Sequence, residues 1–200
     1  PEINYHKHYI NRYAFLFNEY IGNKYVYLPE LSLRYTGQKT FQFDNSHKTI
    51  ALYLGGENKE FRKYPDEYAV QLLRLLNRQG YNLLLIGDEN DNIKHTQYAE
   101  EARIDHLINL TARTTIEGFI NTIANVDLII TIDSSALHIA AAVKTPFIAL
   151  MGLSTSPTST ILPKVPLGRI LKIENNLIRE EDYIRNITPD LILKTISELI

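Results

Sequence analysis

The sequence of 200 residues predicts an α/β protein with a Rossmann-like parallel sheet and helices on both faces. From residue 49 onward, short runs of consecutive apolar residues alternate with stretches whose apolar residues recur at helical spacing. Strands that are apolar throughout are typical of a parallel sheet, because helices cover both of its faces. Such sheets bind ligands outside the carboxyl ends of their strands, so we expect the functional site in the loops that follow the strands.

The first 46 residues are rich in Tyr, Phe and Asn and differ in this from the rest of the chain. Residues 11–20 are expected to form an amphipathic helix, and residues 25–33, which contain Pro29, an extended stretch. The segment is too short to bury a core of its own. We therefore predict that residues 1–46 are the remnant of a preceding domain and its linker, or an arm packed on the main domain, which is residues 47–200.

The predicted elements of the main domain alternate along the chain. The predicted strands are the apolar runs at residues 50–54, 83–86, 107–110, 128–132, 146–150 and 169–173. The predicted helices cover residues 65–79, 92–102, 114–125, 134–143 and a closing helix from 188 onward. Pro65 suits the first turn of a helix, and Gly80 suits the position just after its end.

Two helix starts carry specific capping signals. The run Thr114-Thr115-Ile116-Glu117 is a capping box, in which the threonine oxygen accepts from amides of the first turn and the glutamate reaches back. Thr188 followed by Pro189 predicts a threonine cap with proline in the first helical position.

The loop after residues 128–132 has the most polar groups that folding does not explain. The apolar run leads directly into Asp133, Ser134 and Ser135 at a predicted helix start. Free amides at a helix start and nearby hydroxyls make a site for phosphate. His138 lies one turn into the same helix and can point to the same loop. The alternative is that Asp133 or Ser134 only caps the helix.

Two further loops have weaker signals. The loop from Gly55 to Pro65 begins with paired glycines, which permit close backbone approach to a ligand, and contains three basic residues that can neutralise a diphosphate. Its alternative is a solvated charged loop. The run Gly87-Asp88-Glu89 offers carboxylates to ribose hydroxyls, or places negative charge at the start of the next helix.

Several function classes lack their sequence signatures. The chain has neither the dinucleotide fingerprint nor a P-loop, and it has no Gly-x-Ser-x-Gly elbow. Without cysteine there is no disulfide, thiolate metal site or cysteine nucleophile, and His47, His95 and His106 lack metal-ligand spacing and are expected at the surface or in packing. A net charge of −2 gives no general reason to bind nucleic acid, and we predict neither a signal peptide nor a membrane span.

Residues 133–142, DSSALHIAAA, and the following TPFIALMG resemble a segment of the heptosyltransferase family of bacterial glycosyltransferases, family 9. That family has D-[ST]-G-x-x-H-[LIV]-[AT]-A-A there, followed by a Pro-led strand. RKYP at residues 62–65 resembles its K-x-W-P, and ITPD at 187–190 its closing helix. The resemblance runs from about residue 48 to the last residue, and residues 8–33 resemble the tail of the family's N-terminal domain. It implies that residues 47–200 are the sugar-nucleotide-binding, C-terminal domain of a two-domain GT-B fold.

The resemblance also implies roles for residues in four strand-end loops. Phosphate would be contacted by Glu57, Asn58, Arg62 and Lys63, ribose by Glu89, the base by Arg113 and Thr114, and the diphosphate and sugar by Asp133, Ser134, Ser135 and Ala136, with His138 supporting the loop or approaching the donor. Three residues depart from the family pattern: Arg62 replaces Lys, Tyr64 replaces Trp, and Ser135 replaces Gly. A side chain at residue 135 would block backbone approach or require a backbone angle that serine disfavours.

The implied function is inverting transfer from a nucleoside-diphospho-sugar, similar to ADP-heptose, to a lipopolysaccharide or other surface-glycan acceptor. The resemblance implies no cofactor and no metal, and a cytoplasmic location with at most peripheral contact to the inner membrane. The family's general base and acceptor site lie in the N-terminal domain, so no catalytic residue is predicted here. The alternatives are an inactive nucleotide-sugar-binding or assembly module, and another GT-B enzyme such as an epimerase or hexosyltransferase.

Overall fold

The computed structural model describes residues 19–22, 32–55, 63–152, 163, 166–172 and 179–200. Within them, six strands form one sheet in the order β3-β2-β1-β4-β5-β6, and every neighbouring pair is parallel. The strands are β1 (Thr49–Tyr53), β2 (Asn82–Leu85), β3 (Leu107–Asn109), β4 (Leu128–Ile132), β5 (Phe147–Leu150) and β6 (Gly168–Leu171). The predicted fold class, a doubly wound parallel sheet, is confirmed.

Five α-helices cover the sheet in two groups. They are α1 (Asp66–Arg78), α2 (Asn92–Ala102), α3 (Ile116–Ala124), α4 (Ser135–Val143) and α5 (Pro189–Ile196). Helix α1 packs against α2 and α5, whereas α3 packs against α4. Parallel strands are joined by right-handed crossovers. Helices α1 and α2, which connect β1 to β2 and β2 to β3, therefore lie on one face of the sheet. Helices α3 and α4, which connect β3 to β4 and β4 to β5, lie on the other. The described residues also include two 3₁₀ segments, Glu89–Asp91 and Glu180–Asn186, and a helical stretch at residues 19–21.

The central strands form the core because both of their faces are covered. Every residue of β1, β2, β4 and β5 is buried, whereas β3 and β6 at the two edges are partly exposed. Helix α2 and strand β4 have the predicted bounds, and the other strands begin or end within two residues of the prediction. The apolar runs therefore located the core strands correctly.

Of the two helix caps that the sequence predicts, one is present in the structure and the other lies one residue later. Thr188 caps α5, since its Oγ1 accepts from the amide of Leu191 at 3.3 Å and Pro189 is the first helical residue, as predicted. The capping box predicted from Thr114 and Glu117 is wrong. Thr115 is the cap of α3, and its Oγ1 accepts from the amide of Gly118 at 3.1 Å.

The segment before β1 lies along α3. The Asn121 side chain accepts from the amide of Gly37 at 3.1 Å and donates to Thr36 Oγ1 at 2.9 Å, and Thr40 Oγ1 is 2.6 Å from Thr122 Oγ1. Phe41 and Phe43 are partly buried against the core. The boundary at residue 46 stays a prediction. Of the helix predicted at residues 11–20, only the last two residues are described, and they are helical.

None of the helices in the described ranges combines the length and the apolar composition that crossing a membrane requires.

Candidate functional site

The strand order places one crevice at the carboxyl edge of the sheet. From β1 the chain continues outward to β2 and β3, then returns to add β4 on the other side of β1. The connections from β1 and β4 therefore leave in opposite directions, and a crevice opens between the two strand ends. The ends of β1 and β4 border this crevice, and the loops after β2 and β3 extend it along the edge.

The loop after β4 leaves the start of α4 without a side-chain cap. Ser134 is the capping residue, with extended backbone, but its side chain accepts no hydrogen bond from the helix amides. Instead Ser134 Oγ lies 2.9 Å from Thr131 Oγ1, whose hydroxyl donates to the carbonyl of Ile132 at 3.0 Å. The Ser134 side chain therefore does not cap the helix, whereas the alternative that Asp133 caps it stays a prediction. The first amides of α4 lie at the positive end of its dipole, where an anion is stabilised.

Residues 135–138 present different groups to this loop. Ser135 is the first residue of α4 and has no positive φ, so the expectation of a disfavoured backbone angle is wrong, and its side chain is exposed. The side chain of Ala136 is fully buried, so only its backbone amide can contact a donor. His138 is exposed and Asp133 is partly exposed. The predicted cluster at residues 133–138 is thus brought together at one edge of the crevice.

The loop after β2 is organised by two aspartates. Asp88 Oδ1 accepts from the amide of Asn90 at 2.8 Å, and Asp91 Oδ2 accepts from the amide of Asp88 at 3.2 Å. Asp88 is thereby used as a cap of the 3₁₀ turn, whereas Glu89, the predicted ribose ligand, is exposed beside it.

Asp91 is a residue that the sequence did not single out. It is only 5% exposed, and a Cβ added to Gly55 would lie 1.7 Å from its Oδ1. A Cβ added to Gly87 would lie 2.7 Å from its Oδ2. The two residues that follow the first two strands must therefore be glycines, because a side chain there would overlap this carboxylate. Asp91 thus joins the loops after β1 and β2. The only feature of the sequence that relates to this contact is the glycine that follows each of the first two predicted strands.

The loop after β3, residues 110–115, contains Arg113 and Thr114. Arg113 is exposed and Thr114 partly exposed, and the amide of Ala112 donates to the carbonyl of Gly87 at 3.1 Å. This bond connects the loop to the one that contains Glu89. The two predicted base contacts and the predicted ribose contact therefore follow neighbouring strands.

His95 of α2 lies beneath the same loop. It is fully buried, and its Nδ1 is 2.7 Å from Thr111 Oγ1. Burial lowers the pKa of His95 to about 4, although the charge of Asp88 acts in the opposite direction, so the imidazole is neutral near pH 7. Of the three histidines expected at the surface or in packing, His95 is buried, whereas His47 and His106 are exposed.

Only the two ends of the loop after β1 can be placed. Glu57, Asn58 and Arg62 lie outside the described residues. Lys63 is partly buried just before α1. Burial would raise the pKa of the Asp66 carboxyl, but hydrogen bonds from Lys94 and Tyr98 and the charges of Lys94 and Lys63 together lower it below its usual value.

Tyr64, which stands where the resembling family has Trp, closes the base of this loop. Its amide donates to the carbonyl of Leu54 at 3.3 Å, and its hydroxyl donates to the carbonyl of Ile187 at 2.9 Å. The ring is buried, which raises the pKa of the phenol above its usual value. The loop therefore leaves β1 and enters α1 at adjacent points on the edge of the crevice.

In the part of the chain that the structure describes, no three His, Asp or Glu side chains gather as metal ligands do.

Proteins of similar sequence come from one family. The model of glycosyltransferase family 9 (heptosyltransferase) matches residues 2–181. Lipooligosaccharide heptosyltransferase 2 of Haemophilus influenzae is 31% identical over 158 residues, which are 73% of this chain and 45% of the relative. Lipopolysaccharide heptosyltransferase 2 of Salmonella typhimurium is 25% identical over 172 residues, which are 80% of this chain and 49% of the relative. The chain spans about half the length of the curated relatives it matches.

Solved structures show the same fold. The structure of E. coli ADP-heptose LPS heptosyltransferase II matches with a TM-score of 0.65 at 23% identity, over 76% of this chain and 46% of that one. The structure of E. coli heptosyltransferase WaaC with ADP matches with a TM-score of 0.73 at 16% identity, over 100% of this chain and 59% of that one.

Proposed function

This chain belongs to glycosyltransferase family 9, and on that premise we propose that residues 47–200 bind the nucleoside-diphospho-sugar donor of a heptosyltransferase. The observation that carries this proposal is the start of α4, which faces the crevice without a side-chain cap. An anion at this position accepts hydrogen bonds from backbone amides and interacts favourably with the helix dipole. A diphosphate is the anion that a glycosyltransferase must hold before transfer and stabilise as it departs.

The loops around the crevice supply the other donor contacts in this proposal. Ser134 and Ser135 add hydroxyls beside the diphosphate, and Glu89 accepts from the ribose hydroxyls. Arg113 and Thr114 border the base. The basic residues at 62 and 63 neutralise phosphate charge. Glu57 and Asn58 of the same loop fall where the family contacts phosphate. No metal ion is needed in this arrangement, because basic groups and backbone amides stabilise the leaving diphosphate.

We further propose ADP-heptose as the donor and a lipopolysaccharide precursor as the acceptor. The names of the similar proteins support this choice, since E. coli heptosyltransferase II is named for ADP-heptose and the WaaC structure contains ADP. Transfer with inversion requires a base that deprotonates the acceptor hydroxyl. We place that base and the acceptor in the preceding domain, and the reaction at the cytoplasmic side of the inner membrane.

Nucleotide titration followed by NMR tests this proposal. Adding ADP to the ¹⁵N-labelled chain is expected to shift the amides of residues 134–138, because these amides would meet the diphosphate. UDP and GDP serve as base controls, and α5, which lies outside the four loops, supplies reference amides. If millimolar ADP leaves residues 134–138 unshifted, α4 does not hold the donor diphosphate. Transfer of heptose from ADP-heptose to a lipopolysaccharide acceptor by the native enzyme separates an active transferase from an inactive binding module.

A further inference from the structure

A buried polar pair lies beneath the loop of residues 110–115. His95 and Thr111 are both fully buried, and each provides the other with a hydrogen-bond partner. The Nε2 atom of His95 has no hydrogen-bond partner among the residues that the structure describes. Burying polar groups without full pairing costs free energy that two apolar side chains of similar size would not incur. Core packing alone therefore does not account for this pair.

Four successive amides of the loop above the pair, those of residues 110–113, donate hydrogen bonds. Its amides donate in turn from Leu110 to the carbonyl of Leu85 at 2.8 Å, from Thr111 to Asn109 Oδ1 at 3.0 Å, from Ala112 to the carbonyl of Gly87 at 3.1 Å, and from Arg113 to the carbonyl of Leu110 at 3.0 Å. Ala112 has φ of 59°, a left-handed conformation that any residue with a Cβ adopts at a cost. Such strain persists only where the surroundings fix the backbone.

Arg113 and Thr114 follow this strained turn directly, so the turn sets the direction in which they leave the sheet. We infer that His95 is a positioning residue, which holds the turn through Thr111 and so presents Arg113 and Thr114 to the nucleoside part of the donor. The inference rests on the proposed function, which places these two residues at the base. It adds that recognition of the nucleoside depends on a side chain of α2 that contacts no donor atom.

Binding of two ligands separates positioning from general stability. In the proposed site, ADP uses both the diphosphate contacts and the loop of residues 110–115, whereas inorganic pyrophosphate uses only the diphosphate contacts. Thr111→Val keeps the shape of the side chain and removes the hydroxyl that pairs with His95. We expect it to weaken ADP binding about 3- to 10-fold, the usual worth of one such hydrogen bond, and to leave pyrophosphate binding unchanged, as measured by calorimetry.

Two matched variants accompany it. Thr111→Ser retains the hydroxyl and is expected to bind both ligands as the unaltered chain does. Thr195→Val removes another buried threonine hydroxyl, which donates to the carbonyl of Leu191 at 2.8 Å within α5, and is expected to lower stability without changing either affinity. His95→Leu is expected to repeat the selective loss of ADP, whereas His95→Asn restores part of it, because its side-chain amide can replace Nδ1.

Ala112→Gly tests the turn at an exposed position, where the core is not disturbed. Glycine relieves the strain and widens the range of turn conformations, so ADP binding should weaken while pyrophosphate binding does not. Equal weakening of both ligands by Thr111→Val and Ala112→Gly, or no weakening of either, overturns the inference alone. Failure of the unaltered chain to bind either ligand overturns the proposed function, and the inference with it.

Discussion

The carboxylate of Asp91 occupies the space in which side chains at residues 55 and 87 would begin. Sequence reasoning attributed the glycines after β1 to close approach of a ligand. For Gly55 the structure gives a different reason, because the close neighbour is a side chain 36 positions further along the chain. A contact at such a separation has no local pattern, since neither helical nor strand periodicity connects the two residues. Asp91 could therefore not be identified from the sequence.

Gly55→Ala is expected to destabilise the domain by about 1–3 kcal/mol, because the new Cβ overlaps Asp91 Oδ1 and the surrounding packing must shift. Urea unfolding measures this change. In a double-mutant cycle, Asp91→Ala should recover part of the loss, since it removes the overlapping atoms. Gly118→Ala in α3 is the matched control. Its added Cβ would have its nearest neighbour at 3.4 Å, so this change should leave stability equal or higher. Strict additivity of the two changes in the cycle would contradict the proposed overlap.

At the scale of elements, apolar runs and helical spacing predicted the core strands and all five helices. The cap of α3 was predicted one residue too early. A left-handed turn at Ala112, closed by the hydrogen bond from Arg113 to Leu110, immediately precedes Thr114, and the helix begins after Thr115. Propensity for a cap is local, whereas the turn is set by the Gly87 carbonyl and by His95 in other elements.

Thr115→Ala is expected to lower the free energy of unfolding by about 0.5–2 kcal/mol, because it removes the hydrogen bond from the amide of Gly118. In a domain of this size, each kcal/mol corresponds to a fall in Tm of about 2–4 °C. Calorimetric unfolding should therefore separate this variant from Thr114→Ala, which leaves the cap intact. A larger loss for Thr114→Ala would instead support the capping box that the sequence predicts.

For the whole molecule, the doubly wound topology determines which predicted site residues meet. Strand order could not be read from the strands themselves, since each is a similar apolar run, but the rule that parallel sheets bind at their carboxyl edge was sufficient to select the loops. The loops after β2, β3 and β4 bring Glu89, Arg113, Thr114 and the cluster at residues 133–138 to that edge. The contacts that fix their directions, through His95 and Asp91, depend on packing between elements and were not predicted.

Global stability should depend on pH through His95. Its pKa is lowered from 6.5 to about 4 in the folded state, so the unfolded chain takes up a proton at a higher pH than the folded one. The contribution of the neutral imidazole is therefore complete above about pH 6.5 and is lost as the pH falls towards 4. The lowering of the His95 pKa corresponds to a loss of about 3 kcal/mol in the free energy of unfolding.

Urea unfolding of the native chain and of His95→Leu across this pH range isolates the effect. The variant should lack the part of the pH dependence that lies between pH 6.5 and 4, because leucine takes up no proton. Asp66 does not interfere, since its lowered pKa places its contribution at more acidic pH. Identical pH profiles of the two chains would show that His95 is protonated equally in the folded and unfolded states.

The bond between Tyr64 and Leu54 has an evolutionary consequence for the loop after β1. Because the loop begins and ends at adjacent points, the number of residues between Gly55 and Lys63 can change while β1 and α1 stay where they are. Doubling the length of a flexible loop costs only about 0.6 kcal/mol in closure entropy. The hydrogen bond from Tyr64 to Ile187 adds an anchor that does not involve the loop itself. Changes in the length of this segment therefore carry little cost for the folding of the domain.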